Sequence, residues 1–284
     1  MMGAHAASHR IAVSIEKTRP FLKWAGGKAR YLEPILKHLP QGTTLVEPFV
    51  GAGAVFLNSN FENYLLNDIN GDLIQVYRFL QKKPDLFIQD CKKWFKERYN
   101  TPEQYQKLRA RFNSTSDLWL KSQLFLYLNR HSYNGLCRYN QQGNFNAPYG
   151  RYIKPYFPEH ELGLFAQKLK GAQLSQQCFS KLFTNLPSNA VLYCDPPYYP
   201  LNKTAYFAQY TQNPFPQEKH IELANYALQA VKQGHAVLIS NNDTPEIRKW
   251  YKGARFYTLE SARLINCRPE RRGAKVTELL ALFI

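Results

Sequence analysis

An α/β fold, with a doubly wound sheet interrupted by a helical and loop-rich insert, is predicted by three features of the sequence. Short apolar runs ending in small or charged residues recur towards both ends of the chain, helix-like stretches separate them, and the middle of the chain loses this alternation. Near the amino end, TTLVEPFVGAG (Thr43 to Gly53) is an apolar run that stops at glycines, and AVFLNS opens a helix. YLLNDIN (Tyr64 to Asn70) is a second short strand with Asp68 at its carboxyl end. That order begins a βαβ unit. From about Lys82 to Tyr149 the texture changes to aromatic and basic helices over Ile88 to Asn100, then QLFLYLNR, then the Gly, Asn and Tyr rich NRHSYNGLCRYNQQGNFNAPYGRY. After about Phe157 the alternation returns. AVLYCD (Ala190 to Asp195) reads as a strand, HIELANYALQAVKQG as an amphipathic helix ending at Gly234, and HAVLISN (His235 to Asn241) and TELLALFI (Thr277 to Ile284) as further strands. The expected division is a lead-in over residues 1–19, a sheet-bearing domain from 20–72 and 158–284, and the insert over 73–157.

The charge balance narrows the partner. Lys and Arg number 37 against 21 Asp and Glu, a formal net charge of +16 that favours a polyanion, nucleic acid first and an anionic membrane surface second. The cysteines (Cys91, Cys137, Cys178, Cys194 and Cys267) are scattered, odd in number and never form a CxxC pair. Neither a disulfide framework nor a zinc site is expected, and a reducing cytosol fits. The N-terminal stretch lacks the long apolar core of a signal peptide, and no later segment approaches the roughly eighteen apolar residues of a membrane span.

EPFVGAG (Glu47 to Gly53) is a strand end followed by glycines and a helix start, an arrangement that lets backbone approach a ligand at the carboxyl end of a sheet. The dinucleotide fingerprint G-x-G-x-x-G fails because Phe56 stands at the third glycine position, so a plain tight turn reads equally well. Asp68, at the end of the next strand, could hold a ribose through two hydroxyl hydrogen bonds, or cap a helix. FLKWAGGK (Phe21 to Lys28) is not a nucleoside triphosphate loop, since Leu22 and Ala29 stand where glycine and a hydroxyl residue are needed. It sets an aromatic ring, a glycine pair and two lysines within one short stretch. That suits packing against a flat ring with cations nearby, or simply a buried Trp with solvated lysines.

The stretch VLYCDPPYYP (Val191 to Pro200) carries the strongest signal. Pro196 and Pro197 end the strand and remove two N–H donors, so the Asp195 carboxylate and the Pro196 carbonyl stand as acceptors without local competitors. Tyr198 adds an aromatic face. Two acceptors and a stacking ring form a receptor for a planar group bearing NH2, such as adenine or cytosine. Such an amine is a poor nucleophile because its lone pair is delocalised into the ring; accepting its hydrogens localises that pair and disperses the charge that develops during attack. In the insert, NRHSYNGLCRYN and FNAPYGRYIKPYF interleave Arg130, Arg138, Arg151 and Lys154 with Tyr133, Tyr139, Tyr149, Tyr152 and Tyr156. Arg can bond a guanine edge, Leu or Pro can touch a thymine methyl, and Tyr can wedge or stack. The run CRPERRGAK (Cys267 to Lys275) reads as a phosphate contact or as a charged loop.

FLKWAGGK, EPFVGAG, Asn67-Asp68, LNRHSYNGLCRYN, FNAPYGRYIKPYF, DPPY and LISNND occur in the order seen in Dam-type DNA adenine N6 methyltransferases, and from Pro20 onward nearly all of the chain resembles that family. The resemblance implies a Rossmann-like methyltransferase sheet with the insert as target-recognition domain. It further implies methyl transfer from S-adenosylmethionine to N6 of adenine in GATC sites of double-stranded DNA, by base flipping and direct in-line transfer, with no metal. It assigns Trp24, Lys28, Glu47, Gly51, Gly53, Asp68 and Asp195 to the methyl-donor site, and Asp195, Pro196 and Tyr198 to the grip on the flipped adenine. Lys23, Tyr133, Asn134, Leu136, Arg138, Pro148 and Tyr152 fall where family members contact DNA, with Tyr133 filling the gap left by the base. A monomer acting in the bacterial nucleoid, or a phage-encoded enzyme, is expected. The chain departs from the family in Arg130-His131-Ser132, where Arg, an aromatic and Gly are usual, in Ile153, where Lys often stands, and in a longer lead-in. An N4-cytosine or RNA adenine methyltransferase, and a non-catalytic DNA-binding protein on the same fold, are the alternatives. A dinucleotide-dependent oxidoreductase is disfavoured by Phe56 and by DPPY.

Overall fold

The computed structural model describes residues 17–199, 215–262 and 275–284, so the lead-in up to residue 16 and most of the basic run at 267–275 lie outside the described residues. The strands are β1 (Thr44–Glu47), β2 (Asn63–Asn67), β3 (Gln173–Ser175), β4 (Ala190–Cys194), β5 (Ala236–Asn242), β6 (Arg255–Ala262) and β7 (Lys275–Phe283). They form one seven-stranded sheet in the order β3-β2-β1-β4-β5-β7-β6. β1 to β5 are parallel, and β7 enters antiparallel between β5 and β6. The strand order reverses between β1 and β4, which makes their carboxyl ends the place where an open α/β sheet leaves a crevice.

Both faces of the sheet are covered, so β1 and β4 are buried along their whole length. Side chains still alternate: Val191 and Tyr193 join one core, Leu192 and Cys194 the other. On the second face lie α8 (Gln217–Lys232) and α9 (Pro245–Trp250). The first core also holds α1 (Leu32–His38), α2 (Ala54–Asn58), α3 (Gly71–Lys82), whose Leu73, Ile74, Val76, Tyr77 and Leu80 form one apolar stripe, and α7 (Glu159–Lys168) through Phe165. β3 and β6 are additions to the strands read from sequence.

The insert is helical, as expected. It carries α4 (Pro84–Lys92), α5 (Pro102–Ser114) and α6 (Leu118–His131), the last two started by Thr101 and Asp117 as side-chain caps. In the loop that follows, pairing is limited among the described residues to two isolated bridges, Ser132 with Tyr149 and Tyr139 with Phe145. α6 is buried on nearly every face from Ser122 to Asn129, and its Leu124 to Leu128 belong to the same core as the sheet residues Leu45, Leu66 and Val191. His131, one of the departures from the family pattern, faces inward. Its Nδ1 lies 2.8 Å from the Tyr127 carbonyl, its ring stacks on Tyr127 at 3.9 Å, and burial lowers its pKa to about 4. Ile153, the other, is fully exposed. No helix among the described residues is long and apolar enough to cross a membrane.

Phe165 joins the N-terminal motif to the helices packed on this face of the sheet, with ring centres 5.0 Å from Phe21, 5.4 Å from Phe56 and 4.8 Å from Tyr77. Phe165→Ala is expected to destabilise the protein by about 3–5 kcal/mol, measured by urea unfolding.

Candidate active site

FLKWAGGK is tied to the insert by Asn129 on α6, which accepts from the Lys23 backbone N–H at 3.0 Å and donates to the Lys23 carbonyl at 2.6 Å. The turn that follows is closed by the Gly27 N–H on the Trp24 carbonyl at 3.1 Å, with Gly26 at φ 75°. This hooks Lys28 inward. Only 4 % exposed, its ammonium donates to the Gly26 carbonyl at 2.6 Å, lies 3.0 Å from Asp195 Oδ1, and sits over the Tyr198 ring at 4.4 Å. The contact with Asp195 is a close ion pair. Trp24 is partly buried, with its indole edge against Gly51, where an added Cβ would come within 2.9 Å of Nε1. A partly buried Trp24 and a buried, paired Lys28 do not match the reading of a buried Trp with solvated lysines.

The glycine turn after β1 has three braces. Asp68 Oδ2 accepts from the Gly51 N–H at 3.0 Å, the Gly51 carbonyl accepts from Tyr77 Oη, and the Val50 N–H donates to the Asn67 carbonyl at 2.8 Å. Gly51 and Gly53 have φ of 49° and 72°, and a Cβ on Gly53 would come within 2.9 Å of Phe165. Glycine is required at both positions on space and on backbone conformation together. Asp68 is not the cap of α3; that is Asn70, whose side chain accepts from the Leu73 N–H at 3.1 Å. The Asp68 Oδ1 accepts from the Asn70 N–H at 2.9 Å, and burial raises the carboxyl above its ordinary value. Asn67, absent from the sequence-read site, locks three strand ends. It donates to the Pro48 and Gln177 carbonyls, both at 3.0 Å, and accepts from Ser175 Oγ at 2.8 Å.

The pairing of β1 with β4 registers Val46 opposite Leu192, so Glu47 and Asp195 leave the sheet at neighbouring ends. Burial is the largest influence on both carboxyls and raises both. The Lys28 ammonium opposes it at Asp195, whereas the negative charge of Asp195 reinforces it at Glu47. Glu47 is 2 % exposed, and its Oε1 has no hydrogen-bond partner. After Asp195 the chain turns through buried Pro196 and exposed Pro197. Tyr198 then donates its hydroxyl to Glu278 Oε2 on β7 at 2.9 Å. Glu278 lay inside a stretch read only as a strand. Among the described residues no cluster of His, Cys, Asp and Glu could hold a metal ion.

The residues expected to meet DNA lie on the insert loop and the N-terminal motif, which touch. Lys23 Nζ lies 4.1 Å above the Tyr152 ring, and a Cβ on Gly135 would fall within 2.2 Å of the Lys23 Cβ. Tyr133 is 53 % exposed on a tight turn, its N–H donating to the Pro148 carbonyl at 2.8 Å and its carbonyl accepting from the Leu136 N–H at 3.1 Å. Asn134 beside it adopts φ 51°, and Pro148 is exposed. Arg138 is held by Asn146, its Nε donating to Oδ1 at 2.8 Å and its Nη2 to the carbonyl at 3.0 Å. The guanidinium is therefore oriented in advance by a residue the sequence reading left out.

The chain matches the model of the D12 class of N6 adenine-specific DNA methyltransferases over residues 24–265. It belongs to that family. The match covers Trp24, the glycine turn, the whole insert and Asp195. The chain is 48 % identical over 273 residues to the DNA adenine methylase of Vibrio cholerae, covering 95 % of this chain and 97 % of that protein. It is 46 % identical to the DNA adenine methylases of Serratia marcescens, over 270 residues, and of Escherichia coli, over 269 residues. Those alignments cover 95 % of this chain and 100 % and 96 % of those proteins respectively. The protein is an adenine-specific DNA methyltransferase, with DNA as its substrate and adenine N6 as the atom modified.

In this methyltransferase, Glu47 binds a proton more readily folded than unfolded, because its folded-state pKa is raised. Folding is favoured while that carboxyl is protonated, and stability falls as pH climbs from its ordinary value of 4.5 through the higher folded value. Glu47→Gln, which imitates the protonated form, is expected to remove that slope and to raise stability at neutral pH by about 1–3 kcal/mol, read from urea titrations across pH.

Proposed function

We propose that this methyltransferase modifies adenine N6 in GATC sites of double-stranded DNA, using S-adenosylmethionine, by flipping the base and transferring the methyl group directly in line. The observation that carries the reading is the junction of Asp195 and Tyr198, at the end of β4, with the braced glycine turn of Gly51 and Gly53 at the end of β1. The donor site would be formed by Trp24, Lys28, Glu47, Gly51, Gly53, Asp68 and Asp195. The residues present fit such a ligand. The left-handed glycines hold the turn in a backbone conformation that other residues rarely adopt, and the partnerless Glu47 Oε1 is an acceptor for a ligand ammonium. When bound, S-adenosylmethionine supplies a methyl group on a cationic sulfonium, which needs neither a covalent enzyme intermediate nor an added Lewis acid.

The chain's own residues orient the acceptor. Asp195 and the Pro196 carbonyl accept the hydrogens of the adenine amine, so the N6 lone pair is localised and the charge that develops on attack is dispersed. Tyr198 packs against the ring. Lys28, now paired with Asp195, must yield that oxygen as the amine arrives. Extruding the base costs a few kcal/mol of stacking, and exposed Tyr133 is placed to fill the gap. Lys23, Asn134, Leu136, Arg138, Pro148 and Tyr152 complete the DNA-facing set, which assigns 73–157 to target recognition and 20–72 with 158–284 to catalysis in a monomer. Sequencing of modified bases in DNA from cells expressing the protein tests base, atom and site together; N6-methyladenine outside GATC would overturn the site assignment.

Two substitutions separate chemistry from recognition. Asp195→Ala is expected to abolish methylation while leaving DNA binding intact, and turnover of a labelled methyl group by this variant would sink the mechanism. Arg138→Ala is expected to cost about 1–3 kcal/mol of discrimination at one base pair. Equal loss on every single-base variant of the site would make Arg138 a phosphate contact instead.

A further inference from the structure

The turn after β4 is gripped by two adjacent strands at two different points. From β5, Asn241 Oδ1 accepts from the Tyr199 N–H at 3.2 Å and Asn242 Nδ2 donates to the Tyr199 carbonyl at 2.6 Å. Asn241 is itself held, donating from Nδ2 to Tyr251 Oη at 3.2 Å. From β7, Glu278 takes the hydroxyl of Tyr198 at 2.9 Å. The two strands pair antiparallel with Asn242 opposite Glu278, so the backbone grip and the ring grip come from neighbouring positions on one rigid sheet. A tyrosine side chain has two rotatable bonds ahead of its ring. Fixing the backbone of the next residue and the position of the hydroxyl restrains the first of these; because a phenol O–H lies close to its ring plane, the direction of the Glu278 acceptor restrains the second, and the ring plane is set before any ligand arrives.

We propose that Glu278 is a positioning residue for methyl transfer: by accepting the Tyr198 hydroxyl it fixes the plane on which the extruded adenine packs, and with it the approach of N6. This rests on the reading of Tyr198 as the face that meets the base. A charge-assisted acceptor suits the task, because a phenol binds a carboxylate more strongly than it binds water. Burial raises the Glu278 carboxyl, while the Tyr198 hydrogen bond and the nearby Lys28 charge act in the opposite sense. Glu278 is therefore a second carboxylate facing the lysine that Asp195 pairs with, and it touches no reacting atom.

The test measures steady-state methylation of a GATC duplex by the full chain. Two variants without an acceptor are used, Glu278→Met, which keeps the volume, and Glu278→Ala; Glu278→Gln keeps an oxygen that still accepts the phenol. The acceptor-free variants are expected to lower kcat about tenfold to a hundredfold with the KM for the methyl donor unchanged, and Glu278→Gln to restore most of that loss. Tyr198→Phe removes the same bond from the other side. Combining it with Glu278→Met is expected to lower kcat no further than Tyr198→Phe alone. Parental kcat in a folded acceptor-free variant, a Glu278→Gln variant as slow as Glu278→Met, or losses that multiply in the double variant would each overturn the proposal. The underlying reading fails separately, through turnover by Asp195→Ala; loss in Asp195→Ala beside parental kcat in Glu278→Met sinks the Glu278 assignment alone.

Discussion

The parallel pairing of β1 with β4 puts two carboxylates, Glu47 and Asp195, at adjacent strand ends where the order of the sheet reverses. Water would separate two such charges; here both are drawn into the protein, where burial and the nearby Asp195 raise Glu47 and the buried Lys28 ammonium pairs with Asp195. The other features of the crevice serve that arrangement. The Gly26–Gly27 turn hooks Lys28 inward, Trp24 closes the side against Gly51, and Tyr198 offers its ring to the same ammonium.

Asparagine does much of the fastening. Asn67 joins the ends of β1, β2 and β3, Asn129 clamps both backbone groups of Lys23, Asn146 aims Arg138, and Asn241 with Asn242 hold the turn that follows Asp195. The amide side chain both donates and accepts, so one residue can satisfy the N–H and the C=O that a loop leaves open when it departs from regular structure. Loops that must present side chains to a large ligand are thereby held without being covered.

The sequence shows the strands that are buried on both faces and the motifs that are chemically unusual. β1, β2, β4, β5 and β7 are all apolar runs with abrupt ends. β3, three residues that are partly exposed, and β6, an edge strand begun by Arg255 and Phe256, carry no such contrast and escape a reading based on hydrophobic pattern. Of the site, DPPY, the glycine turn and the Lys and Trp of FLKWAGGK were legible because their residue types are costly to place without a reason. The capping reading of Asp68 is removed by a neighbour, since Asn70 takes that role and Asp68 braces Gly51. Glu278 was not legible, because its partner Tyr198 lies 80 positions away and nothing local distinguishes it from any acidic residue at a strand end.

The clamp of Asn129 on Lys23 has a consequence for how such an enzyme can diverge. The insert loop grows from the same helix that fastens the N-terminal motif, and the Arg130 guanidinium reaches the Phe21 carbonyl at 3.4 Å. Because Leu124 to Leu128 and Phe21 share one apolar core, the seam between the insert and the N-terminal motif is made of packed side chains and hydrogen bonds. Exchange of the insert between relatives as a cassette would have to carry the matching N-terminal motif with it. If the insert reads the target as proposed, new preferences are reached more readily by changes at the exposed loop positions, which leave that seam untouched.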